Sequence, residues 1–172
     1  MQIPSRRAVN AAAFVACAAM MAYAYYVQFA LHIEPCPLCI FQRVCMILTG
    51  LVFMFAALHD PARIGRSIYA GLLTLVTAGG AAIAGRHVWI QSLPPDQVPA
   101  CGPGLDYMLE VFTFSETLAM VFSGSGECAE VKWTFLGLAM PVWVLMSFIG
   151  LSVIALGNNL RANNLRRPAA AV

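Results

Sequence analysis

The sequence predicts an all-α, polytopic membrane protein. It should be a four-transmembrane-helix bundle with a long outer, periplasm-type loop carrying a short interfacial helix. Three observations lead there. The 172 residues are 60% apolar and only 10% charged, against roughly 25% charged in an ordinary soluble domain. Four runs are long and apolar enough to cross a bilayer, which takes about 20 residues each. The basic residues fall mostly on one side of those runs.

The runs are 8–31, 40–58, 67–85 and 133–157. The first carries only Asn10 and Gln28 as strongly polar residues, near its ends. It follows Arg6 and Arg7 as a signal peptide would, but its apolar stretch exceeds a 7–15-residue signal core and no small-x-small site follows. It therefore reads as a retained helix. The second run is apolar except for Gln42 and Arg43 at its start, and the third is rich in Gly and Ala. Small residues such as Gly71, Gly79, Gly80 and Ala81 allow close backbone approach in lipid. The fourth run is uncharged after Lys132, with Pro141 early in it. The chain reads as one membrane domain over 1–172 with no internal repeat and a basic tail at 158–172.

Arg6, Arg7, Arg63, Arg66, Arg161, Arg166 and Arg167 lie at the termini and in the second connection. By the positive-inside rule both termini are cytoplasmic. The loops 32–39 and 86–132 then face outward, and seven of the eight acidic residues, all but Asp60, lie on that side. The net charge of +2 and the lack of a basic run give no signal for nucleic acid. The long loop opens with Pro94, Pro95, Pro99 and Pro103, which favour an irregular path. Residues 105–122 suit a single interfacial helix, and Ser123-Gly-Ser-Gly126 reads as a flexible link before Cys128. Trp89, Trp133 and Trp143 fit an outer aromatic belt, and His32 and His59 read as ordinary loop residues.

Six cysteines divide into two groups. Cys17 and Cys45 sit inside spans and read as small packing residues. Cys36, Cys39, Cys101 and Cys128 all fall on the outer side, the oxidising one in a cell with a periplasm. Two structural disulfides would be the plain reading. A C-x-x-C bridge constrains little chain, however, and this spacing lets one thiol attack while its neighbour resolves. A four-cysteine zinc site would want two knuckle-like pairs, and no histidine stands at ligand spacing from any of the four. A metal transporter would want thiols or acids along the spans, where only Cys17 and Cys45 qualify. No metal is therefore expected.

Arg43 follows Cys39 by four residues, so a helix starting near Pro37 puts both on one face. Cys39 would occupy the first turn, where free N–H groups and the helix dipole favour a thiolate. An ionisable residue at the edge of a span is itself a sign of function.

The segment "CPLCIFQR", the later Cys101 and Cys128, and "GECAEVKWTFLGLAMPVW" together resemble the disulfide bond formation protein B (DsbB) family. The resemblance covers nearly the whole chain. It implies a Gram-negative inner-membrane thiol:quinone oxidoreductase that reoxidises the periplasmic dithiol oxidant DsbA and passes the electrons to ubiquinone or menaquinone. That partner's couple is known to lie at about −120 mV, so its oxidant must lie higher. The resemblance implies that Cys36 and Cys39 form the pair nearest the quinone, with Cys39 contacting the ring. It implies that Arg43 and His87 help bind the quinone. Cys101 would form the mixed disulfide with DsbA, and Cys128 would be its loop partner. Gln42 departs from the family where some relatives carry an acid. A vitamin K epoxide reductase-like enzyme is the nearest alternative, but its C-x-x-C would lie late in the bundle.

Overall fold

The computed structural model describes residues 4–98, 105–124, 126–131 and 133–160. Four long helices form the body: α1 (Arg6–Ala30), α2 (Pro37–His59), α3 (Arg63–Gln91) and α7 (Met140–Leu160). Each is long and apolar enough to span a membrane, the shortest at 21 residues. Between α3 and α7 lie three short helices, α4 (Leu105–Val111), α5 (Phe114–Ser123) and α6 (Gly126–Ala129). A two-stranded antiparallel hairpin follows, β1 (Thr134–Phe135) with β2 (Leu138–Ala139), pairing Thr134 with Ala139 and Phe135 with Leu138.

Local chemistry sets the helix ends. Ser5 caps α1 by accepting from the Ala8 N–H at 3.2 Å. Pro37 opens α2, where its missing N–H costs nothing. Asp60 closes α2 in the left-handed region with φ 37°, its N–H donating to the Ala56 carbonyl at 3.2 Å. Within the spans Thr49, Thr74 and Thr77 donate their hydroxyls to the carbonyls four residues back at 2.7–2.8 Å, as polar groups in lipid must find partners within the protein.

The helices pack in the order α1, α2, α3, α7, with the α3–α7 contact the most extensive and α1 meeting α7 loosely. Ala13, Cys17, Met21, Met46, Phe53, Leu73, Phe148 and Leu151 belong to the central core. Cys17 is fully enclosed there and Cys45 packs against the same cluster, in keeping with a packing role for both. At the terminal end a buried amide cluster joins α1 to α7. Asn10 donates to Asn159 at 3.4 Å, and Asn158 donates to Asn10 at 2.8 Å. The outward faces carry residues such as Val15, Phe29, Leu75 and Val153, all exposed, as a lipid-facing surface requires.

Several expectations need correcting. The third helix does not stop at residue 85 but runs to Gln91, so Arg86 and His87 are helical. A charge ends the hydrocarbon crossing but not the helix, and no breaker stands before Pro94. His59 is likewise the last residue of α2 rather than a loop residue. The fourth helix starts at Met140, not at 133. The turn Leu136-Gly137, with φ of 51° and 79°, closes a hairpin in that interval. The single interfacial helix is two, because Thr113 starts a new one. Nor is Ser123–Gly126 an open link where it is described. Gly124, at φ 88°, lies so close to Ile90 that a Cβ would fall 2.5 Å from the Ile90 side chain. Arg86 donates to the Phe122 and Ser123 carbonyls at 3.1 and 3.0 Å and stacks 4.1 Å from the Trp89 ring centroid. This pins the end of α5 to α3 and sets where α6 begins.

Two outcomes are expected. A Cβ on Gly80 would stand 2.4 Å from the Phe148 ring, whereas one on Gly79 would meet nothing within 4 Å. Gly80→Ala should therefore destabilise the α3–α7 contact by about 1–3 kcal/mol, seen as a lower unfolding temperature in detergent, while Gly79→Ala should not. The second concerns α5. The Thr113 N–H and hydroxyl both donate to Glu116, at 2.9 and 2.8 Å, and hold its carboxyl below the usual carboxylate range. A lowered folded value means that this contribution is present above the unfolded value and lost as pH falls through the folded one. Hydrogen exchange in the first turn of α5 should quicken on acidification through that window, and Glu116→Gln should remove the dependence.

Candidate thiol redox site

The site is built on the first turn of α2. Cys36 is the N-cap residue, with extended backbone at φ −69° and ψ 163°. Its sulfur accepts from the Cys39 N–H at 3.4 Å, and its thiol donates to the Cys39 sulfur at 3.1 Å. The two sulfurs thus meet at the end of a helix whose free N–H groups point toward them. Cys36 is buried and Cys39 half-buried.

Arg43 lies one turn further on. Its guanidinium donates to Gln28 of α1 and, at 3.2 Å, to the Ala24 carbonyl. It also lies 5.3 Å from the Tyr25 ring centroid. Three contacts on α1 hold the charge in place. The sequence pointed to Arg43; Gln28 was visible only as a polar residue near a span end.

His87 comes from α3 and is 2% exposed. Its Nε2 lies 3.1 Å from the Cys128 carbonyl oxygen and 3.8 Å from the Cys36 sulfur. Its Nδ1 lies 3.1 Å from the Gln42 amide nitrogen and 3.9 Å from the Cys39 sulfur. No histidine stands at ligand spacing in the sequence, but the packing of α3 on α2 brings His87 within reach of both thiols. The two sulfurs and a His87 nitrogen lie within 4.8 Å of one another. The arrangement suits thiol chemistry better than a metal. Two thiolates on one tetrahedral zinc sit about 3.8 Å apart, given bonds of about 2.3 Å, and here the sulfurs are closer. Both ring nitrogens are also engaged already.

Cys128 is carried by α6 and is 1% exposed. It packs in one cluster with Cys36, Leu38, Ile83, Ile90, Met108 and Val121. Of the four outer cysteines, then, three converge: Cys36, Cys39 and Cys128. Cys101 lies outside the described residues.

Two cavities meet at Cys39. A recess of about 90 Å³ is lined by Glu34, Cys36, Cys39, His87, Glu127 and Glu130, among others. A larger cavity of about 510 Å³ opens between α1, α2, the hairpin and α7. Its wall is mostly apolar (Met20, Met46, Trp133, Phe135, Trp143 and Val144), with Cys39, Gln42 and Arg43 at one end. Such a volume falls within the usual range for small-molecule sites. Aromatic contacts build its rim: Tyr23 to Trp133 at 5.9 Å, Trp133 stacked on Phe135 at 5.8 Å, and the Trp143 indole donating to the Phe135 carbonyl at 3.0 Å. Trp133 and Trp143 thus form a cavity wall beyond any belt role. Cys39 and Arg43 line both spaces; His87 lines the recess and not the larger cavity.

Four spanning helices with a C-x-x-C at the N-terminus of one, and a third thiol folded back on it, define a polytopic membrane protein of the thiol redox class. Comparison with known proteins narrows this. The family model described as "Disulfide bond formation protein DsbB" matches residues 6–157. Proteins named "Disulfide bond formation protein B" are similar over most of their length. That of Hahella chejuensis is 54% identical over 150 residues, covering 87% of this chain and 91% of the relative. That of Methylococcus capsulatus is 52% identical over 156 residues, covering 91% and 95%. That of Nitrosococcus oceani is 57% identical over 143 residues, covering 83% and 85%. The chain belongs to the disulfide bond formation protein B family. Membership sets aside the vitamin K epoxide reductase-like and metal-transporter readings.

Proposed function

We propose that the protein reoxidises a DsbA-like periplasmic thioredoxin-fold partner and passes the electrons to a membrane quinone. The observation that carries this reading is the position of Cys39, whose side chain lines both the thiol recess and the apolar cavity. A sulfur in that position can exchange with thiols on one side and meet a lipid-borne acceptor on the other.

The cavity suits a quinone head group. It is apolar, of ample volume, and ends on a sulfur, an amide and a fixed guanidinium. A quinone bound there would accept two electrons and two protons and leave as the hydroquinone. The chain's residues do the rest. A partner thiolate attacks Cys101 of a Cys101–Cys128 disulfide, and Cys128 departs as the thiolate. Cys128, on α6, attacks the Cys36 sulfur, and Cys39 leaves with the bonding pair. Each exchange needs a thiolate attacker and a good leaving thiol. For Cys39 the helix N-terminus and Arg43 favour the departing anion. The partner's second thiol resolves its mixed disulfide and frees Cys101, whose thiolate attacks Cys128, restores the Cys101–Cys128 bond and expels Cys36. Re-forming the Cys36–Cys39 bond from the two reduced thiols would then give up two electrons and two protons to the acceptor.

In this reading the protein sits in the inner membrane of a Gram-negative cell, with both termini cytoplasmic and both cysteine-bearing loops periplasmic. The distribution of Lys and Arg supports that orientation.

The test uses purified protein, a reduced DsbA-type partner and a soluble quinone. Arg43→Ala removes a charged donor worth about 1.5–3 kcal/mol, so quinone reduction should fall about 10- to 100-fold. Arg43→Lys should fall between the two, because it keeps the charge and loses the fork that reaches Gln28 and Ala24. Wild-type rates in Arg43→Ala would refute the assignment of this cavity.

A further inference from the structure

His87 has two strong hydrogen-bond partners, and their chemistry fixes its protons. Nε2 faces the Cys128 carbonyl at 3.1 Å, and a carbonyl only accepts. Nε2 must therefore carry hydrogen. Nδ1 faces the Gln42 amide nitrogen at 3.1 Å, and that nitrogen only donates. Nδ1 must therefore present its lone pair. One form of the ring satisfies both contacts, the neutral Nε2–H tautomer. Turning the Gln42 amide over would set its oxygen against Nδ1 and require a proton on both nitrogens.

Burial makes the choice consequential. Gln42 is 4% exposed, His87 2% and Cys128 1%. In so dry a site two opposed lone pairs would lose a hydrogen bond and leave buried polar atoms unsatisfied. The other tautomer would also leave Nε2 facing the Cys128 carbonyl without a proton. Nε2 also lies 3.8 Å from the Cys36 sulfur, the atom attacked by the loop thiol in the proposed exchange. Gln42 itself lines the larger cavity, so one amide connects the cavity wall to the loop.

We propose that Gln42 is a positioning residue for exchange between Cys128 and the Cys36–Cys39 pair: its amide fixes His87 as the neutral Nε2–H tautomer, and that proton holds the Cys128 backbone beside Cys36. The functional part rests on the reading that these cysteines exchange. An acid at this position accepts only, so it would draw a second proton onto the ring and convert a neutral amide–imidazole pair into an ion pair. The glutamine is thus a choice of charge state for the site.

The tautomer is measurable without acceptor or partner, which separates this proposal from the electron-transfer reading. Full-length protein with ¹⁵N-histidine, in lipid nanodiscs at neutral pH, has only His32, His59 and His87 to resolve, and His87→Asn assigns the signal. Wild type should show a protonated Nε2 and an unprotonated Nδ1. The isosteric Gln42→Glu should show both nitrogens protonated. Gln42→Met leaves Nδ1 without its donor and should slow reduction of the Cys36–Cys39 pair by the loop thiol about tenfold, the worth of one buried hydrogen bond, read by acid quench and alkylation. A wild-type ring protonated at Nδ1, or a Gln42→Glu spectrum unchanged from wild type, would overturn the proposal. Should Gln42→Met fail to fold, the Gln42→Glu spectrum still decides it.

Discussion

The first turn of α2 is the constraint on which the rest depends. Pro37 begins the helix without losing a hydrogen bond, and Cys36 replaces the usual oxygen cap with sulfur. That places two sulfurs at the positive end of a helix, at the edge of the apolar bundle. One turn deeper, Arg43 has to find partners inside the protein, and α1 supplies them through Gln28 and Ala24. A guanidinium on a membrane-spanning helix without such partners would be costly in lipid. The packing of α1 on α2 is therefore coupled to the chemistry: the contact that secures the charge also shapes the cavity wall.

The loop is organised by the same end of the bundle. Arg86 and Ile90, on the extended last turns of α3, fix the end of α5 and Gly124. His87, between them, bonds the carbonyl of Cys128 on α6. Three residues within five positions of one helix thus bring a cysteine 41 residues from His87 into the thiol cluster. Arg86 also stacks on the Trp89 ring at this helix end.

Much of this was legible in the sequence. The four spans follow from apolar runs and the site from C-x-x-C with Arg43 at one helical turn, because local periodicity fixes both. Cys17 lies in the central core and Cys45 packs against it. The helix ends were less legible. Residues 133–139 are apolar enough to pass for helix, and only the paired positive-φ turn at Leu136-Gly137 makes a hairpin. Arg86 looked like a boundary because hydropathy changes there, while the hydrogen-bond ladder continues to Gln91. The approach of His87 to the thiols was hidden from spacing rules, since it depends on how α3 packs on α2 across a separation of 48 positions in the chain. Gln42 and Gln28 carried a weak signal, a polar side chain near the end of a span. Their partners come from neighbouring helices, which no local pattern encodes.

The central claim is that Cys39 meets a quinone in the apolar cavity. It is tested most directly by recording the visible spectrum of the purified, reduced protein as a short-chain ubiquinone is added. A thiolate in contact with the quinone ring should give a new absorption band in wild type, diminished in Arg43→Ala and absent in Cys39→Ser. A wild-type spectrum that is only the sum of protein and quinone, or an undiminished band in Cys39→Ser, would contradict it.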